Sequence, residues 1–216
     1  MATGIFPSAR MLEVPGIGTF QGRLLHSAQW DSHIDLRNKK VAVVGSGASA
    51  AQIVPEIAKV EGVEVTQFFR RASWLVPPVS SAISPKTQER FRKYPILLRL
   101  FRWTLYLYYE IIYFFVFGSD LLRSFTMKTS RSYVLKNAPS KYHDILIPDH
   151  PVGCLRTVFD VTYLKSLHLP NVNLVKQPVR RLLEGGLMTA NGCYYDFDVI
   201  VSATGFDTAR TASFFI

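Results

Sequence analysis

Acidic side chains are scarce in this chain. In 216 residues, 16 Asp and Glu stand against 25 Lys and Arg, a formal net charge of +9. Much of the excess lies between residues 86 and 131, where Arg90, Arg92, Lys93, Arg99, Arg102, Arg123, Lys128 and Arg131 outnumber Glu89, Glu110 and Asp120. Nucleic acid could attract such a surplus, but these charges alternate with Tyr, Phe and Leu at helical intervals. That is the pattern of a helix with one packed and one wet face, so no nucleic-acid partner is expected. Cysteine is nearly absent. Cys154 and Cys193 give neither a metal-ligand spacing nor a disulfide framework, so no metal is expected and a reducing, cytoplasmic compartment is the default. The start of the chain also lacks a charged segment leading into an apolar stretch and a small-residue cleavage site.

Long uncharged apolar runs are missing too. Residues 94–118 are the most lipid-like stretch, but Arg99, Arg102 and Glu110 interrupt it, and its longest uncharged run, 111–119, is too short to span a bilayer. A buried helix pair or a surface-lying amphipathic helix fits it better, membrane-surface contact being the less favoured reading. What is present suits a folded domain: 48% of residues are apolar and 19% charged.

Residues 1–37 read as loop-rich, punctuated by Pro7, Pro15, Gly16, Gly18 and Gly22. Residues 39–45 (KKVAVVG) suit a strand buried on both faces of a parallel sheet. A helix is expected from Ala48 to about Val60, then a second strand over 63–69, together half of a βαβ unit. Residues 86–136 read as a mainly helical insertion. From Val172 the pattern turns to β, with Val179–Leu183, 187–190 and 194–197 joined at Gly185-Gly186 and Asn191-Gly192 into a meander. Residues 198–203 return as a buried strand. The fold class is therefore α/β, a Rossmann-like parallel sheet with a β-meander and a helical insertion.

Gly45-Ser46-Gly47-Ala48-Ser49-Ala50 is G-x-G-x-x-A, and it ends a predicted strand and opens a predicted helix. In that setting Gly45 permits the tight turn, Gly47 admits a pyrophosphate, and Ala50 lets helix and sheet pack closely. The helix N-terminus offers unpaired N–H groups to phosphate, and Ser46 and Ser49 can add hydroxyl donors. Without a ligand the same sequence would be a plain strand-to-helix turn. An acidic residue for a ribose 2′-hydroxyl is missing from the end of the second strand. Arg70 and Arg71 stand there instead, and Glu64 sits at the strand's other end. Two guanidiniums suit a 2′-phosphate, which favours NADP(H) over NAD; the bland alternative is an exposed basic turn.

Residues 20–31 read F-x-G-x-x-x-H-x-x-x-W-D, with Phe20, Gly22, His26, Trp30 and Asp31 at the fixed positions. This resembles the fingerprint of the flavin-dependent Baeyer–Villiger monooxygenases; the related N- and S-oxygenating flavin monooxygenases usually have Tyr or Phe where Trp30 stands. The phosphate loop, Arg70, Trp74, the IPDHPVGCLR segment ending at Arg156, and Ala203-Thr204-Gly205-Phe206-Asp207 follow in the same order. The resemblance covers nearly the whole chain. It implies two cofactors, NADP(H) and FAD: NADPH reduces FAD, the reduced flavin captures O2, and a flavin peroxide oxygenates a ketone or similar small organic substrate. It further implies that Arg156 is the catalytic arginine, although Leu155 replaces the lysine usual before it. Thr204 and Gly205 would lie near the cofactors. His26 is expected to set linker geometry rather than act as a base, Phe20 and Trp30 to be packing anchors, Trp74 to be core, and Cys154 to be an inert small hydrophobe.

On this reading residues 1–37 are an interdomain linker, 38–84 the first half of the NADP domain, 85–137 a helical insertion, 138–202 the rest of that domain, and 203–216 the return toward an FAD-binding lobe. A glycine loop for FAD is absent, so the expectation is a truncated chain whose missing lobe completes the enzyme. Ala2-Thr3-Gly4 and Ala203-Thr204-Gly205 echo each other and would pack on that lobe. Alternatives left open are a non-catalytic NADP-binding module and a portion of an N- or S-oxygenating flavin monooxygenase.

Overall fold

The computed structural model describes residues 8–78, 82–117 and 119–207. In chain order the strands are β1 (Ser8–Ala9), β2 (Arg23–His26), β3 (Lys40–Val44), β4 (Glu64–Phe68), β5 (Leu75–Val76), β6 (Val158–Phe159), β7 (Val172–Val175), β8 (Val179–Leu183), β9 (Gly186–Thr189), β10 (Tyr194–Asp196), β11 (Val199–Ser202) and β12 (Phe206–Asp207). The helices are α1 (Ala48–Ile57), α2 (Pro85–Lys93), α3 (Pro95–Phe117), α4 (Asp120–Asn137), α5 (His143–Leu146) and α6 (Tyr163–Ser166).

A five-stranded parallel sheet, in the order β2-β11-β3-β4-β7, carries the fold. Alternation along each strand feeds two cores. Val41, Val43, Val65, Val199 and Val201 face one side and pack with Ala50, Val54 and Ile57 of α1. Ala42, Val44, Phe68 and Ile200 face the other and pack with Leu182, Leu187 and Phe197. Each fully buried aliphatic side chain of this kind is worth roughly 1.5–3 kcal/mol. The meander β8-β9-β10, antiparallel throughout, therefore covers one face, and α1 with α6 the other. The α/β class, parallel sheet and meander expected from sequence are all present.

Several details differ from expectation. Residues 23–26, read as part of a loop-rich stretch, form the edge strand β2, paired in parallel with β11. Short and flanked by turns, it gains its order from the sheet rather than from its own pattern. Helix α1 ends at Ile57 rather than near Val60. The β8-β9 turn is centred on Glu184-Gly185, because Leu183 pairs with Gly186. The insertion folds as α2, α3 and α4, but α3 is not one of a buried pair: its large apolar side chains, such as Ile96, Trp103 and Phe114, are more than half exposed. Among the described residues no helix is long and apolar enough to cross a membrane. The first half of the Ala-Thr-Gly echo lies outside the described residues; nearby, β1 pairs antiparallel with β12, so the chain enters and leaves this sheet side by side.

Candidate functional site

The site gathers at the carboxyl ends of β3, β4 and β11. Strand β3 sits between β11 and β4, so the chain's course across the sheet reverses on its two sides, the place where open α/β sheets form a crevice. Gly45 leaves β3 with φ +143°, and a Cβ there would lie 2.3 Å from the Ala203 carbonyl oxygen. Only glycine fits. Its amide donates to the Phe68 carbonyl at 2.9 Å, tying the loop to the end of β4. Gly47 is the opposite case. A Cβ added there meets nothing within 4 Å, so the residue faces open space at the N-cap of α1. No side chain caps that helix, and its first N–H groups are presented to whatever occupies the space. Ala50 is fully buried beneath them, where a larger side chain would cost about 1–3 kcal/mol by overpacking.

The Ser46 hydroxyl is engaged within the protein. It donates to the Arg71 carbonyl at 2.7 Å and lies 3.4 Å from the Ser73 hydroxyl, joining the glycine loop to the arginine-bearing segment. Ser49 stands half-buried as the second residue of α1. Arg70 and Arg71 are exposed just beyond β4, and among the described residues neither pairs with a carboxylate. Glu64 sits at the far end of that strand, opposite Lys40.

Sequence reasoning missed Gln67. It is 1% exposed on β4, its amide nitrogen donates to the Gly45 carbonyl at 2.7 Å, and its oxygen accepts from the Tyr163 hydroxyl at 2.7 Å. The available signal was its place two residues after Val65, on the strand face that the core covers, where a buried amide must be satisfied. Burial pushes the Tyr163 hydroxyl well above the usual tyrosine value.

Arg156 is exposed in the loop before β6. Parallel pairing of β5 with β6, and the Trp74 indole donating to the His150 carbonyl at 3.0 Å, lay that loop alongside residues 70–76. Trp74 is buried, as expected. Cys154, expected to be an inert small hydrophobe, is exposed on the same loop.

The fingerprint residues separate by role. Phe20 packs half-buried against the meander-side core. Gly22 lies so close to the Asp198 carbonyl that a Cβ would sit 2.4 Å from its oxygen. His26 is 1% exposed, its Nδ1 accepts from the Ala28 amide at 3.1 Å, and its Nε2 lies 3.0 Å from the Gly205 carbonyl oxygen. A backbone amide only donates and a carbonyl only accepts, so the ring is the Nε2–H tautomer with both nitrogens occupied. It therefore clips the two crossing segments together. Thr204 donates to the Arg10 carbonyl and lies 2.7 Å from the Ser202 hydroxyl, while the Gly205 carbonyl also accepts from the Arg10 amide. Both residues knit these crossings, with Ala203 against the glycine loop. Asp31 accepts from the His33 amide and from Arg23 at 2.7 Å, and these hold its carboxyl below the usual range. Trp30, expected to anchor packing, is 40% exposed. It follows the turn after β2.

Comparison with known proteins adds relatives. The family model described as pyridine nucleotide-disulphide oxidoreductase matches residues 1–100. A Baeyer–Villiger monooxygenase of Pseudomonas aeruginosa is 32% identical over 193 residues, covering 88% of this chain. The chain is thus similar, over most of its own length, to a portion of the Baeyer–Villiger monooxygenases. A second Baeyer–Villiger monooxygenase, from Streptomyces coelicolor, is 33% identical over 95% of the chain. The chain spans 36% and 40% of the length of these two relatives. Among solved structures, a complex of OTEMO with FAD and NADP superposes on 100% of the chain and 48% of its own, with a TM-score of 0.81 at 25% identity. The overall fold described above is thus shared with that structure.

Proposed function

We propose that this chain forms the NADPH-binding portion of a flavin-dependent monooxygenase that oxygenates a ketone or similar small organic acceptor. The observation that carries this is the open face of Gly47 beneath an uncapped helix N-terminus, beside two exposed arginines. The residues present fit the group. The first N–H groups of α1 and the Ser49 hydroxyl would hold the pyrophosphate. Arg70 and Arg71 would grip the 2′-phosphate, a dianion suited to bidentate donors. Gln67 and Ser46 hold the loop's shape from behind. Arg156 would place a fixed positive charge near the reacting atoms. When both cofactors are bound they supply hydride transfer from nicotinamide to flavin and oxygen transfer from O2 to the acceptor. His26, with both nitrogens engaged, positions the crossings toward the FAD-binding lobe and moves no proton.

Titration calorimetry of the chain with NADPH and NADH tests the cofactor reading. NADPH is expected to bind at least about tenfold more tightly, and Arg70→Ala with Arg71→Ala to bring the two within a few-fold. Equal losses for both dinucleotides would remove the 2′-phosphate assignment. A second reading, a module that binds NADPH without turnover, rests on the single glycine loop in this chain. A chain that stays colourless after incubation with FAD yet binds NADPH supports it. Retained flavin with NADPH-dependent O2 uptake counts against it.

A further inference from the structure

Helix α3 has two apolar faces, and the fold uses only one. Leu98, Phe101 and Ile112 are half-buried on its inner side. There α3 meets α2 and α4, with the Phe91 and Phe101 rings 5.4 Å apart. On the outer side Ile96, Leu100, Trp103, Leu107, Ile111 and Phe114 recur at intervals of three and four, one stripe of a 3.6-residue helix. Each is between 55% and 66% exposed. A helix apolar on both sides is ordinarily covered on both. Among the described residues nothing covers this one.

Charge identifies the occupant. Residues 85–137 hold ten Lys and Arg against three Asp and Glu, seven of the chain's nine net positive charges. Arg99 borders the stripe, Arg102 stands beside Arg99 on the same flank, and Arg90, Arg92 and Lys93 close the last turn of α2 just before it. Glu110, the one acid within α3, accepts the Tyr106 hydroxyl. A second copy on the stripe would bring the same positive field against itself, a repulsion that costs affinity. An acidic bilayer surface supplies apolar depth and negative charge side by side, and Trp and Tyr suit its headgroup boundary. The arginines in its amino-terminal half make α3 a helix that lies in the interface, in keeping with its failure to qualify as a span.

We propose that the outer stripe of α3 docks on an anionic membrane surface, the basic residues of the insertion meeting the lipid headgroups. Because it is independent of the cofactor reading, it stands or falls separately from NADPH affinity. The test is co-sedimentation of the whole chain with phosphatidylcholine vesicles containing phosphatidylserine, against vesicles of phosphatidylcholine alone. Binding to the acidic vesicles is expected to be stronger by at least about tenfold, and Arg99→Glu with Arg102→Glu to remove most of that gain. Leu107→Ser with Ile111→Ser should weaken binding to both, and all four substitutions fall on exposed positions, so Tm and NADPH affinity should not move. Equal binding to the two vesicle types, or indifference to the charge reversal, overturns the proposal. So does a chain left in the supernatant, whether monomeric or as a dimer that Leu107→Ser with Ile111→Ser dissociates; the dimer would place a second copy on the stripe.

Discussion

Gln67 shows how one buried amide can hold a glycine loop in shape. It offers a donor to the half-buried Gly45 carbonyl and an acceptor to the buried Tyr163 hydroxyl. Gln67→Leu keeps the volume and removes both bonds, stranding two polar groups. Leaving the buried hydroxyl unsatisfied costs about 1–3 kcal/mol and the half-buried carbonyl less, so a loss of about 2–4 kcal/mol in urea unfolding is expected. NADPH affinity should fall as well, because the carbonyl that fixes the turn is released. A variant that keeps its stability would show that water replaces the amide.

At the scale of the element, strand, loop and helix divide the work between two glycines. Gly45 is required by the protein itself, through its positive φ and the nearby Ala203 carbonyl. Gly47 has an ordinary extended backbone and open space before it. Gly45→Ala is therefore expected to destabilise the chain by at least about 1–3 kcal/mol. Gly47→Ala should leave the thermal midpoint nearly unchanged and weaken NADPH binding at least about tenfold, as the added methyl enters the space proposed for the phosphate. Equal thermal losses for the two variants would mean that the loop is built differently. The fingerprint segment works in the same manner: β2 borrows its order from β11, and His26 at its end spans from Ala28 to Gly205.

For the molecule as a whole, two tyrosines, Tyr163 buried and Tyr133 half-buried, are expected to lower stability at alkaline pH. Burial, with the hydrogen bond to Asp160 second, pushes the Tyr133 hydroxyl from 10.0 to about 12, and burial raises Tyr163 further. A folded value above the unfolded one means that the folded chain holds its protons longer. Stability is then complete below about pH 10 and declines as pH rises from there toward about 12. Urea midpoints measured across that window should fall steadily, and Tyr163→Phe should flatten the fall. A midpoint independent of pH would contradict the burial of these hydroxyls.

Local pattern was enough to read the α/β class, the glycine loop, the arginines after the second strand and the meander, because each rests on neighbours a few residues apart. The α/β alternation is a matter of period, and the turn chemistry belongs to adjacent residues. Whatever depends on distant partners was decided by the tertiary structure. Residues 23–26 became a strand through pairing with residues 199–202, and Gln67 acquired its role from Gly45 and Tyr163. The same holds for exposure. Sequence shows that α3 is apolar, but which face finds a partner depends on where α2 and α4 pack, and that left its outer stripe, Trp30 and Cys154 at the surface.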